Sequence, residues 1–125
     1  MRLPTERKFA CIESIQNYVD TVLELPGICD GPFCHAGWKV NVRARQGTTA
    51  AHYCAGTIAI PLGLGGRSKW ALRELVVLHE LAHHLSLGGH GPEFRFAFAT
   101  LASLAMAPEV GLALRACWYF EGIET

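Results

Sequence analysis

The chain has 125 residues, 50% of them hydrophobic and 18% charged, and its 11 Lys+Arg balance 11 Asp+Glu to a formal net charge of zero. That length suffices for one core without staples, and so few charges exclude wholesale disorder. No apolar run approaches the ~20 residues of a membrane helix. The start, Met1-Arg-Leu-Pro-Thr-Glu-Arg-Lys, has no apolar stretch of the export type. The expectation is one cytoplasmic domain, 1–125, with no membrane contact.

Residues 5 to 25 read as an amphipathic helix. Phe9, Ile12, Ile15, Val19 and Val22 recur at helical spacing, opposite Glu13, Gln16, Asn17, Asp20 and Glu24. Leu25-Pro26-Gly27 stops it, and 26–37 form a loop. Residues 38–45 alternate, with Trp38, Val40, Val42 and Ala44 on one side, and predict a half-buried strand. After a turn at Gln46-Gly47-Thr48-Thr49, residues 52–62 read as a second strand. Pro61 cannot donate to a ladder, so that strand lies at an edge or ends there.

Ser68 is the expected N-cap of a long helix, 69–87. Its middle, Leu75-Val-Val-Leu-His-Glu-Leu-Ala-His-His-Leu, is apolar nearly all round, which suits the centre of a domain. Gly88-Gly89 end it. Pro92 fits the first position of a helix whose stripe is Phe94, Phe98, Leu101 and Ala105, and Pro108 opens a last helix reaching Trp118 or Phe120. The sum is an α+β domain: an N-terminal helix, a short sheet, a central helix and C-terminal helices.

On that central helix stands His79-Glu80-Leu81-Ala82-His83, an H-E-x-x-H motif. Positions i and i+4 are about 400° apart, so both imidazoles leave one face and can converge on one ion. Zinc takes neutral imidazole at ~2.0–2.1 Å in tetrahedral geometry. Glu80, ~100° round the helix from His79, can take a proton from water without occupying a ligand position. His90, just past the Gly88-Gly89 break, can fold back as a third ligand. A shuffled chain of this composition shows H-E-x-x-H only ~2% of the time, and a purely structural role leaves Glu80 buried among imidazoles with no task. The metzincin spacing places its third histidine one residue closer and has Gly where this chain has Ser86.

Other residues leave alternatives open. His84 points elsewhere on the helix, as a packing or surface residue or a donor to a substrate oxygen. His35 and His52 are not expected on this metal. Five cysteines cannot all pair within one chain. With no export signal, reduced thiols are the default. Cys29-x4-Cys34-His35 with His52-x-Cys54 could form a second zinc site, though without Cys-x2-Cys spacing, and Cys29–Cys34 could be a redox pair. Six basic residues and no acid lie between Lys39 and Arg73 (Lys39, Arg43, Arg45, Arg67, Lys69, Arg73). They form a solvated face or meet an acidic partner such as DNA.

Three stretches carry a family resemblance. These are Cys54-Ala-Gly-Thr-Ile-Ala-Ile-Pro, Leu72-Arg-Glu-Leu-Val-Val-Leu-His-Glu-Leu-Ala-His and Gly89-His-Gly-Pro-Glu-Phe. Over 54–98 the chain resembles the SprT-like zinc metallopeptidases, the group that includes the Spartan and SprT domains. The resemblance implies a minimal gluzincin-type zincin domain with one catalytic Zn2+, held by His79, His83 and His90. It implies Glu80 as catalytic acid/base and a protein or peptide substrate. In such an enzyme an extended peptide would pair along Thr57 to Ile60, and His84, Tyr53, Arg95 and Tyr119 are the candidates for a second oxyanion donor. Two other classes stay open: a DNA-associated protein, and a non-catalytic zinc domain that recognises a partner.

Overall fold

A computed structural model describes residues 3–47, 50–63 and 69–122. Helix α1 spans Ile12–Leu23 and buries Ile15, Val19 and Val22, the stripe that its periodicity predicts. It begins later than expected. Residues 6–9 are extended instead, because they find partners on a distant helix start that a helical turn cannot supply. Phe9 N–H donates to Leu72 O (2.9 Å) and Glu74 N–H to Arg7 O (2.9 Å), around a bridge between Lys8 and Arg73. Phe9 keeps the period and is buried, but it packs edge-on against Tyr18 from outside the helix, with ring centroids 5.1 Å apart.

After the irregular segment 24–40, strand β1 covers Asn41–Arg45. It is shorter than the expected 38–45, since Trp38 sits in a turn closed by its N–H on His35 O and is exposed. The expected strand 52–62 is in fact a hairpin. Strand β2 spans His52–Cys54 and β3 spans Thr57–Pro61. Between them, Ala55 (φ 47°) and Gly56 (φ 85°) form a two-residue turn with both φ positive.

The strand order is β1-β3-β2, with β1 parallel and β2 antiparallel to β3. Strand β3 is therefore central and not an edge, and Pro61 ends it, opposite Arg45. Leu62 donates to Arg45 O on the β1 side. Backbone groups alternate sides along a strand, so the N–H that Pro61 lacks would point toward β2, past the end of that short strand.

The two outer edges differ. On β1, the Gln16 side chain of α1 accepts from Val42 N–H (2.7 Å) and donates to Val40 O (2.8 Å), occupying the edge as another strand would. On β2, Tyr53 faces Ile58 in the pairing that directs the Tyr53 N–H and C=O away from β3.

Helix α2 spans Glu74–His84, inside the expected 69–87. Ser68 lies outside the described residues. The N-cap is Arg73, whose side chain makes no cap bond, and the Glu6 carboxylate does the capping from the N-terminal segment: it accepts from Leu75 N–H (2.7 Å) and pairs with Arg73 (2.9 Å). Glu74 is buried in the first turn, where its carboxylate accepts from Arg7 N–H and from the Tyr18 hydroxyl. Val77, Leu78, Leu81 and Ala82 are fully buried, so α2 is the central helix its composition predicts.

Helices α3 (Pro92–Ala105) and α4 (Pro108–Phe120) start on their prolines as expected. They cross closely at Gly111, where a Cβ would stand 2.8 Å from Ala99 O. The described residues thus form an α+β fold of four helices and one three-stranded sheet, and no helix among them is long and apolar enough to cross a membrane.

Candidate metal centre

One turn of α2 separates His79 from His83, and their ring centroids lie 5.2 Å apart. The chain then reverses through Gly88, at φ +82°, and returns His90 to the same place. Arg95 on α3 holds that return by donating from Nη1 to His90 O (2.8 Å). The three ligand atoms all lie within 4.8 Å of one another, and His90 Nε2 is 3.1 Å from His83 Nε2 and 3.3 Å from His79 Nε2. For zinc–nitrogen bonds of 2.0–2.1 Å, the edge of a tetrahedron is about 3.3 Å.

Beneath the imidazoles lies Phe94, buried at the start of α3, with its centroid 5.0, 4.5 and 4.7 Å from those of His79, His83 and His90. This apolar ring shields one side of the cluster. Burial, then the neighbouring His83 and His90, lower the His79 pKa to about 4; burial and then His90 lower that of His83. At neutral pH both are therefore in the uncharged form that binds metal. Two neutral imidazoles can share a proton between facing Nε2 atoms, but three converging nitrogens cannot all be satisfied that way. A cation at their centre satisfies all three, so these side chains fit a metal ion. His90 is exposed, which leaves an open side for a further ligand.

Glu80 lies beside the cluster and not in it. Its side chain is buried, Oε2 stands 3.9 Å from His79 Nε2, and burial raises its pKa to about 7. A carboxyl group so tuned exchanges protons near neutral pH.

The centre opens on a cleft of about 510 Å3, bordered by Tyr53, His52 and Ala51 of the β2 edge, by His35, and by the 86–90 turn. His84 is only 1% exposed, and both its nitrogens are engaged. Nε2 donates to His35 O (3.1 Å), so Nδ1 must accept, and it does so from the Tyr53 hydroxyl (2.8 Å). That hydroxyl in turn accepts from Gly56 N–H (3.0 Å), and His35 Nδ1 donates to His84 O (3.1 Å). Burial lowers the His84 pKa, in keeping with this neutral tautomer. The network bolts the hairpin turn and the 35–38 turn to the end of α2.

Of the four oxyanion candidates, His84 is thus a buried strut and not a donor to substrate. The Tyr53 hydroxyl is committed to His84 and Arg95 Nη1 to His90 O, while Tyr119 is exposed on α4 against Phe120, away from the cleft. The Tyr53–His84–His35 link was invisible in the sequence, because it joins residues up to 49 positions apart.

His35 and His52 border the cleft but do not join the metal cluster. Among the described residues, His79, His83 and His90 are the one group of three side chains placed to hold a metal, so Cys29, Cys34, His35, His52 and Cys54 make no second site. All five cysteines are free thiols. Within the basic stretch Arg73 is paired with Glu6, Arg45 bonds Ala50 O, and Arg67 lies outside the described residues. In comparison with known proteins, no family model, curated protein or solved structure matches the chain.

Proposed function

We propose that this chain is a zinc-dependent metallohydrolase of the SprT-like kind, cleaving peptide bonds at the His79/His83/His90 centre. The observation that carries the reading is the convergence of three Nε2 atoms with a buried carboxyl, tuned to about 7, beside them. A zinc ion so held supplies Lewis acidity, which polarises a carbonyl group and acidifies water to a pKa of about 7.

The residues supply the rest. His79 and His83, neutral through burial, donate lone pairs without first losing protons. Glu80, buried beside the ligands, would take the proton of the attacking water and later deliver it to the leaving amine. Phe94 excludes water from beneath the cluster.

The substrate lies along β2. Thr57 to Ala59, in the segment expected to receive it, are flanked on both sides by strands, whereas the Tyr53 N–H and C=O point away from β3, where an extended peptide can pair. Tyr53, held by His84, fixes the height of that edge above the metal ligands.

The test is metal analysis of the purified protein, followed by cleavage of a peptide library with and without chelator. Zinc at one ion per chain and chelator-sensitive cleavage are expected. Glu80→Gln should retain the zinc and lose cleavage by about 100-fold or more. Undiminished turnover in that variant ends the proposal, and zinc without any cleavage points to a partner-binding domain.

A further inference from the structure

Two hollows meet at the metal centre. The first is the cleft bordered by His35, His52 and the 86–90 turn. The second, of about 450 Å3, is walled by Trp70, Leu75, Val76 and Phe98, with Ala50 and Ala51 at its rim. His79, Glu80 and Ala51 belong to both. We infer that the second hollow is a subsite for one large apolar side chain of the substrate, on a residue flanking the bond that is cleaved. This rests on the metallopeptidase reading and adds its substrate class.

The placement follows from the helix. Leu75 and Val76 precede His79 and Glu80 by four positions, so they lie just over one turn, about 6 Å, along the same face of α2. A side chain anchored at the metal reaches that far from a residue next to the reacting carbonyl, because neighbouring residues of an extended chain are ~3.3 Å apart.

The lining sets the chemistry. Apart from His79 and Glu80 at the shared wall, the six lining residues carry no charged side chain; Trp70 is 40% exposed, and Leu75 and Val76 are half-buried. This apolar surface is what a leucine, methionine or phenylalanine side chain would cover. Ala50 and Ala51 leave the space open; any larger pair would fill it. An acidic side chain would meet the Glu80 carboxyl at the shared wall. The other hollow, bordered by histidines and Ser86, has as much apolar surface but is far richer in polar groups, so it suits an apolar side chain less well.

The experiment measures binding to zinc-loaded protein of N-acetyl amino-acid hydroxamates, whose hydroxamate chelates zinc while the side chain explores the walls. The leucine and phenylalanine compounds should bind about 10- to 100-fold more tightly than the glycine compound, and the glutamate compound no better than glycine. Ala50→Phe, at an exposed rim position, should erase that difference while leaving glycine hydroxamate binding and zinc content unchanged. Val76→Thr, nearly the same shape with one hydroxyl added, should reduce it several-fold. Equal affinity across the series, or a preference that survives Ala50→Phe, overturns the assignment. The series is repeated in Glu80→Gln, where binding is read without turnover. A protein that shows the side-chain preference but cleaves no peptide loses the peptidase reading and keeps the apolar subsite.

Discussion

Glu80 and the histidines around it pull stability in opposite directions with pH. His79, His83 and His84 titrate near 6.5 when unfolded and lower when folded. Their contribution is complete above 6.5 and is lost as pH falls, through about 4 for His79, because the unfolded chain then binds more protons. Glu80 behaves inversely: its pKa rises from 4.5 to about 7, so its contribution is complete below 4.5 and is lost as pH climbs through 7. In metal-free protein, Glu80→Gln removes only the second effect. Urea titrations in chelator should show that variant level with the parent at pH 4.5 and more stable by roughly 1–3 kcal/mol at pH 8. A gap equal at both pH values would contradict the burial assigned to Glu80. Tyr53→Phe tests the strut. It leaves His84 Nδ1 and Gly56 N–H without their partner and should cost about 1–3 kcal/mol in the same titration, with zinc content unaltered.

At the scale of elements, the start of α2 depends on a residue far away in sequence. Glu6→Ala removes the acceptor of Leu75 N–H and should cost about 1 kcal/mol, as loss of an N-cap does. Arg73→Ala breaks only the half-exposed ion pair and should cost less than half of that, measured by urea midpoints of both variants. The same long-range contact explains why α1 begins later than its periodicity predicts. Phe9 satisfies the helical period, yet the hydrogen bonds of residues 6–9 go to 72–75, and no local pattern records this. The hairpin escaped for a different reason: Ala55 adopts a positive φ that Asn or Asp would have advertised, so 52–62 read as one strand. The centrality of β3 follows from a parallel pairing with β1 that only the folded chain reveals. By contrast, the cluster of three histidines was legible because its convergence is nearly local. Two lie one helical turn apart, and the third follows a glycine reversal seven residues on. The proline-started helices α3 and α4 were legible for the same reason.

For the whole molecule, an ion held by the three histidines would be a clasp between α2, which runs through the core, and the turn that leads into α3. His79 and His83 belong to one side and His90 to the other, so an ion bound by all three resists every unfolding route that separates them. Mass action sets the size of the effect: at a free zinc concentration 100 times the dissociation constant, the folded state gains about 2.7 kcal/mol. For a chain of this length that raises Tm by on the order of 10 °C. His90→Ala separates the clasp from the packing. His90 is exposed and its side chain meets mainly the other imidazoles and the edge of Phe94, so the metal-free variant should melt within about 2 °C of the parent. In zinc at the same concentration, the variant should lose most of the upward shift, because two imidazoles from one helix hold the ion without tying α2 to the turn. Thermal melts of both proteins, in chelator and in zinc, measure all four values. If the zinc-induced shift persists undiminished in the variant, the ion is held elsewhere and the three-histidine centre is wrong.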